Sequence, residues 1–322
     1  MNYDVFNGDA DGIISLLQLR LHEPRHAALI TGIKRDISLV KNIPLDSVSS
    51  GSKVTVLDVS LGKNYDAVNA VLAAGAQVLY IDHHNPGPIP SSPSFTSYID
   101  LSASKCTALI VDELLDKKYH YWAITAAYGD NLTQVATALA IDAGLDEQQQ
   151  IVLKELGKLL NYNGYGANTG ELIFHPAELF SLLLNYVCPF DCVADENSPY
   201  YLLKRQYEED YNRASEAEVL HQCEQCYCVL LENEAASRRI SGSYGNELAN
   251  EYPTRAHVIL TTVDTDHYLV SLRAPLNRKE GAGDICAQFE TGGGRKAAGG
   301  INKLAKARLN ELINKVVAYY AS

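Results

Sequence analysis

The residues of this chain best suited to chemistry are carboxylates and imidazoles at the ends of short apolar runs. Phe6-Asn7-Gly8-Asp9-Ala10-Asp11-Gly12 sets two aspartates two residues apart. In a turn they can offer separate carboxylates to neighbouring hard cations, while Gly8 and Gly12 permit a tight backbone. Alone, the turn reads equally well as an Asx turn and helix cap. Val54-Thr55-Val56-Leu57-Asp58 adds an acid after a second run, and Leu79-Tyr80-Ile81-Asp82-His83-His84 adds an acid and two imidazoles after a third. Clustered carboxylates repel one another unless a cation neutralises them. Three such ends meeting at one edge therefore point to a metal centre able to hydrolyse phosphate esters. Asp130, in Ala127-Tyr128-Gly129-Asp130-Asn131-Leu132, is a further acid that reads either as part of this set or as a helix C-terminal residue.

The elements that must position these groups follow from hydrophobic period. Strand-length runs at Tyr3 to Phe6, Ala27 to Ile33, Val54 to Val59 and Val78 to Ile81 alternate with helical patterns such as Ile13 to Leu21 and Tyr65 to Ala74. That alternation predicts βαβ units in a parallel sheet, whose ligands sit beyond the carboxyl ends of the strands. From about Ser102 the pattern is mainly helical, including Trp122 to Leu132, Thr133 to Ala143 and Glu147 to Leu160. A polar helix is expected from Tyr200 to Glu218, after two proline-containing turns. Beyond it the pattern predicts a strand at Cys226 to Leu231, a helix near Ile240 to Glu251, a hairpin of His257 to Thr262 with Tyr268 to Leu272, a glycine-rich loop and a last helix from about Asn302 to Tyr319. The fold class is α/β: a catalytic domain over 1–190, a helical linker over 191–222 and a smaller α/β domain over 223–322, with a cleft between the two domains.

At 322 residues, 47% hydrophobic and 20% charged, the chain has the composition of a soluble globular protein. It has no apolar run of the roughly 20 residues a spanning helix needs and no basic, apolar leader, so a cytoplasmic location and no membrane partner are expected. A homodimer is compatible with the sequence. Seven dispersed cysteines suit reduced thiols. His221-Gln-Cys223-Glu-Gln-Cys226-Tyr-Cys228 lacks a second cluster at zinc spacing, and Cys226 to Leu231 reads as a half-buried strand instead. A net charge of −12 disfavours long nucleic acids. Yet eight cations face three acids between Arg273 and Arg308, enough to hold a small anionic ligand.

Within that basic stretch, Glu290-Thr-Gly292-Gly293-Gly294-Arg295-Lys296-Ala297-Ala298-Gly299-Gly300 combines glycines that let main-chain amides approach a phosphate with two cations that favour one. Arg273 is a second candidate clamp or a solvated strand-end arginine, and Arg278 and Lys279 read as loop charges. Asn161-Tyr162-Asn163-Gly164-Tyr165-Gly166 suits either base stacking and reading or a turn closing the preceding helix.

Together these residues resemble the DHH phosphoesterases, a family named for the motif that stands here as Asp82-His83-His84. The glycine-rich segment resembles the signature of the DHH-associated domain, so two distant motifs occur in the expected order and the resemblance covers almost the whole chain. It implies two manganese ions, with magnesium as the alternative: Asp9 on one, Asp11, His83 and Asp130 on the other, and Asp58 bridging both. It further implies that His84 faces the scissile phosphate, that Asp82 orients the histidines, and that Gly293, Gly294, Arg295 and Lys296 bind substrate.

Two departures stand out. The family usually has histidine where this chain has Asn7, a neutral and weaker ligand for a transition metal, which implies a looser first site. It commonly has histidine where Arg295 stands, and an arginine suits a terminal phosphate or a guanine edge. The expected activity is hydrolysis of short linear nucleotides such as pGpG to mononucleotides. The alternatives are a 3′-phosphoadenosine 5′-phosphate phosphatase, a cyclic dinucleotide phosphodiesterase, or a non-catalytic nucleotide sensor.

Overall fold

The computed structural model describes residues 1–321, so Ser322, the last residue of the expected second domain, lies outside it. The described residues divide into two compact units, Met1–Arg205 and one from Gln206 onward, with the boundary inside one long helix.

The first unit is built on β1 (Tyr3–Phe6), α1 (Ala10–His22), β2 (Ala28–Ile30), β3 (Lys53–Leu57), α2 (Leu61–Ala73), β4 (Gln77–Asp82) and β5 (Phe95–Ile99). The five strands form one parallel sheet in the order β2-β1-β3-β4-β5. The expected parallel sheet is present, with β2 shorter than the apolar run suggested and β5 added at the edge. Its alternating, half-exposed pattern gave no continuous apolar signal. Tyr3, Val5, Val54, Val56, Val78 and Tyr80 share the face covered by Val68 and Val71 of α2. On the other face the buried Asp4 takes a two-pronged ion pair from Arg20 of α1 and a third bond from Arg25. An interior carboxylate is tolerated there because every charge is paired and hydrogen-bonded.

Strand order reverses between β1 and β3: the chain leaves β1 for β2 on one side and continues from β3 to β4 and β5 on the other. This is the switch point at which α/β sheets open a crevice beyond the strand ends. Asp9 and Asp11 follow β1, Asp58 follows β3, and Asp82 ends β4. The remaining helices are α3 (Thr107–Leu114), α4 (His120–Gly129), α5 (Thr133–Asp142), α6 (Glu147–Asn163), α7 (Pro176–Leu183), α8 (Pro189–Ala194) and α9 (Pro199–Ser215). A reciprocal cap between Asp146 and Gln149 starts α6.

The second unit holds β6 (Glu218–Gln222), β7 (Cys226–Leu231), α10 (Ala235–Glu251), β8 (Ala256–Thr262), β9 (His267–Arg273), α11 (Ala282–Cys286), β10 (Gly292–Gly294), β11 (Ala298–Ala305) and α12 (Leu309–Tyr320). Its mixed sheet runs β10-β11-β9-β8-β7-β6, with β7 and β8 parallel and the other pairs antiparallel. Cys226, Cys228, Val258, Leu260, Val270 and Leu272 pack with Leu312, Ile313 and Val316 of α12. The thiols are core residues, and every cysteine among the described residues is free.

Two expectations are corrected in this unit. The polar helix stops at Ser215, because Glu218–Gln222 pairs with β7 as an edge strand. The last helix begins at Leu309 rather than near Asn302, because Ile301 and Leu304 are buried where β11 pairs with β9 through a bulge. No helix among the described residues is long and apolar enough to cross a membrane.

Candidate metal centre

Asp9 caps α1, its Oδ1 accepting the Gly12 amide at 3.1 Å. Gly12 is required by close approach, since a Cβ there would lie 2.3 Å from the Asn7 carbonyl oxygen. In the first turn of α1, Asp11 accepts the amides of Thr107 (2.8 Å) and Ala108 (2.7 Å) at the start of α3. A helix N-terminus thus holds this buried carboxylate in place. Asp58, the residue after β3, has φ of 56°, a left-handed conformation uncommon for a side chain other than glycine, and accepts from the Thr107 hydroxyl at 3.2 Å.

The histidine pair is fixed by different partners. His83 Nδ1 donates to the Lys105 carbonyl at 2.9 Å, which leaves Nε2 for the acids, 3.5 Å from Asp58 Oδ1 and 3.9 Å from Asp11 Oδ2. His84 Nδ1 donates to Asp82 Oδ1 at 2.6 Å, and the same oxygen accepts the His83 main-chain amide at 2.9 Å. Asp82 therefore orients the His84 ring and the His83 backbone, while the His83 ring is held by Lys105. Asp58, His83 and His84 bring one ligand atom each to within 4.8 Å of one another.

Lys34, in the segment after β2, reaches Asp9 Oδ2 at 2.5 Å, Asn161 Oδ1 at 2.8 Å and Asp130 Oδ1 at 3.7 Å. Asp130 is the C-cap residue of α4, the helix-end reading of the two, and its carboxylate faces Lys34. Asn7 is buried with both ends of its amide on main chain: Oδ1 accepts the Asp9 amide at 3.2 Å and Nδ2 donates to the Lys34 carbonyl at 3.1 Å. In the Asn161 to Gly166 tract, Tyr162 is fully buried, Asn163 exchanges two bonds with Phe174, and Gly164 lies against Asp9. The tract packs behind the aspartate turn rather than offering its asparagines to a base.

Electrostatics follow from burial. Desolvation, together with the charges of Asp11 and Asp9, pushes the Asp58 carboxyl well above the carboxylate range. Burial also raises Asp11, against the pull of His83. Asp9 runs the other way: burial alone would raise it, but the Lys34 ammonium brings it down to about 2. His83, which burial alone would lower, is lifted to about 10 by its bond to Asp58 and the charges of Asp11, Asp58 and Asp130. A donor set of buried carboxylates and one imidazole nitrogen, with a surplus of negative charge, fits a divalent cation such as manganese.

In the second unit, Gly292–Gly294 is an edge strand on β11 rather than a loop, with Gly294 at φ of 151°. The main-chain oxygens of Arg295 and Lys296 accept amides from Gly283 and Ala282 at the start of α11, leaving both residues on the exposed turn between β10 and β11. Arg273 bonds Asn246 Oδ1 (2.6 Å), the Ser271 hydroxyl (3.0 Å) and the Gly242 carbonyl (3.2 Å), bracing β9 to α10. Sequence reasoning passed over Lys34, Lys105 and Thr107, which carry no motif of their own, and read Asn161 as a base reader or turn residue rather than as a partner of Lys34.

Residues 3–141 match the DHH family, N-terminal domain. No curated protein matches the chain in sequence. Among solved structures the chain is similar to exonuclease RecJ bound to manganese, at 15% identity and a TM-score of 0.58, covering 99% of this chain and 90% of that one. It is similar to the pGpG-specific phosphodiesterase PggH of Vibrio cholerae, at 12% identity and a TM-score of 0.53 over 99% of each chain. It also resembles an exopolyphosphatase-related protein of Bacteroides fragilis, at 12% identity and a TM-score of 0.52, covering 99% and 91%. At such identities the likeness is one of fold.

Proposed function

Residues 3–141 are a DHH-family N-terminal domain, and from that premise we propose that the chain is a manganese-dependent phosphodiesterase that hydrolyses short linear nucleotides, pGpG among them, to mononucleotides. The observation that carries this reading is the gathering of Asp9, Asp11 and Asp58, each at most 3% exposed, with His83 and His84 beyond the ends of β1, β3 and β4.

Asp11, Asp58 and His83 would hold a divalent metal, with Asp9 and Asp130 adding negative charge beside it; when bound, the metal supplies an acidified water and positive charge beside the phosphate. The chain's own residues do the rest. His83 is kept by Lys105 with Nε2 toward the acids. His84, fixed through Nδ1 by Asp82, contacts the scissile phosphate, steadies the charge that builds on its oxygens and passes a proton to the leaving 3′ oxygen. Asp82 then stabilises the charged imidazole, as a carboxylate behind a histidine does in other hydrolases.

For the substrate, Gly293, Gly294, Arg295 and Lys296 supply main-chain amides and two cations suited to a phosphate or a guanine edge. Arg273 contributes to binding only by releasing part of its present bonding. The acidic net charge favours a short ligand over a long polyanion. The fold is shared by a pGpG-specific enzyme and by an exonuclease, so length preference is the decisive measurement.

The test incubates the full chain and manganese with pGpG, pApA, a longer RNA, adenosine bisphosphate and cyclic dinucleotides, and resolves the products. Fastest turnover of the linear dinucleotides is expected. Faster cleavage of the longer RNA would refute the short-substrate reading, and tight binding without hydrolysis of any compound would leave a sensor instead of an enzyme.

A further inference from the structure

Resting on the metal-centre reading above, we propose that the Lys34 ammonium takes the place of one of two cations, so that the centre holds a single divalent ion beside a cation built into the chain.

The geometry divides the centre into two halves. In one, Lys34 Nζ is surrounded by Asp9 Oδ2 at 2.5 Å, Asn161 Oδ1 at 2.8 Å and Asp130 Oδ1 at 3.7 Å, with the Tyr165 ring centroid 5.7 Å away. Those oxygens come from the α1 cap, from α6 and from the end of α4, three elements far apart in sequence. Two carboxylates and an amide oxygen form the kind of shell a hard cation takes, and the ammonium hydrogen-bonds the Asp9 and Asn161 oxygens and pairs with the Asp130 carboxylate at ion-pair distance. In the other half, His83 Nε2 faces Asp58 and Asp11.

Lys34 is held to this position by its backbone as well. Its amide donates to the Gly164 carbonyl at 2.7 Å, and its own carbonyl accepts from Asn7 Nδ2 at 3.1 Å. The stem therefore starts from a clamped point between the aspartate turn and the end of α6. Asn7 completes the clamp with Oδ1 on the Asp9 amide, so it braces Lys34 against the aspartate turn. The side chain is 25% exposed, so the ammonium is partly removed from water and depends on these acids for its solvation. A divalent ion on Asp9 would have to share one carboxylate with a positive charge already in contact with it. Charge repulsion then favours one metal, in the half formed by Asp11, Asp58 and His83. The positive charge of the Lys34 half is supplied by the chain at any metal concentration.

Manganese alone, with the full chain, provides the test: bound ions are counted by elemental analysis after equilibrium dialysis, and their environment is read by electron paramagnetic resonance. The wild type is expected to hold one manganese per chain with the signal of an isolated ion. Lys34→Met and the double change Lys34→Ala with Asn7→His are expected to hold two, with a signal broadened by coupling between the ions. Two ions per wild-type chain would overturn the inference, and this count decides even if a variant fails to fold. One ion in folded forms of both variants would overturn it as well, since Lys34 would not be what excludes the second. No bound manganese in the wild type would instead remove the metal-centre reading on which the inference rests.

Discussion

Asp82 Oδ1 lies 2.6 Å from His84 Nδ1, so the second histidine of the pair is aimed by the acid two residues before it. The aim is possible because Asp82 is the last residue of β4 and fully buried, while His84 is partly exposed beyond the strand end. Asp82→Asn keeps the shape and removes the charge behind the imidazole. It is expected to lower kcat by about 10–100-fold, the usual cost of losing such an orienting partner, with KM and the number of bound manganese ions unchanged. Steady-state kinetics and an ion count check both halves.

Asp58→Asn should separate function from stability. Burial and the charges of Asp11 and Asp9 disfavour the ionised Asp58 carboxyl, and its φ of 56° is a conformation that asparagine adopts more readily than most residues. Asparagine also keeps an acceptor for the Thr107 hydroxyl. The metal-free variant is expected to unfold higher than the metal-free parent, by roughly 2–8 °C for 1–2 kcal/mol, and to lose manganese binding and turnover. Thermal unfolding in chelator, followed by an activity assay, tests the pair of outcomes.

Asn7→Ala should act mainly on stability. It leaves the buried Asp9 amide and the Lys34 carbonyl without their partner, at about 1–3 kcal/mol, while Asp11, Asp58 and His83 keep their positions. The loss of activity should be milder than in Asp58→Ala. Equal and complete loss in both would make Asn7 an indispensable ligand.

The metal-free protein should lose stability as pH rises from 6.5 toward 10. His83 carries its proton more tightly in the folded chain, up to about 10 against an ordinary 6.5. A raised folded value favours the fold below the ordinary value, and that advantage disappears as pH climbs through the folded one. Asp58, raised by burial, acts in the same direction from its own range upward. Unfolding curves in chelator should fall by at most about 1.4 kcal/mol per pH unit per proton, and His83→Gln should flatten them. A rise in stability over this interval would contradict the assignment.

Much of the catalytic half is local, and local features can be read along a chain. The strands end at Phe6, Leu57 and Asp82, so the acids and imidazoles at and just past these ends are brought to one sheet edge once the strands are parallel. The glycine at 12 is likewise demanded by a contact only five residues away. Where a polar stretch pairs with a distant strand, period misleads: Asn302 to Ala305 continues β11 because β9 is beside it, and Glu218–Gln222 is a strand because β7 is.

What the sequence by itself determined is the list of strand-end acids and imidazoles and the parallel sheet that gathers them, because both depend on periods of a few residues. Tertiary structure alone decided how their charge is balanced. Lys34 meets Asn161 across 127 residues, Asp11 meets the α3 amides across nearly a hundred, and His83 is aimed by the main-chain carbonyl of Lys105, which no side-chain pattern reports. A buried ion's energy depends on every charge within a few ångströms, whatever its place in the chain, so the cation beside Asp9 became visible only when the chain was folded.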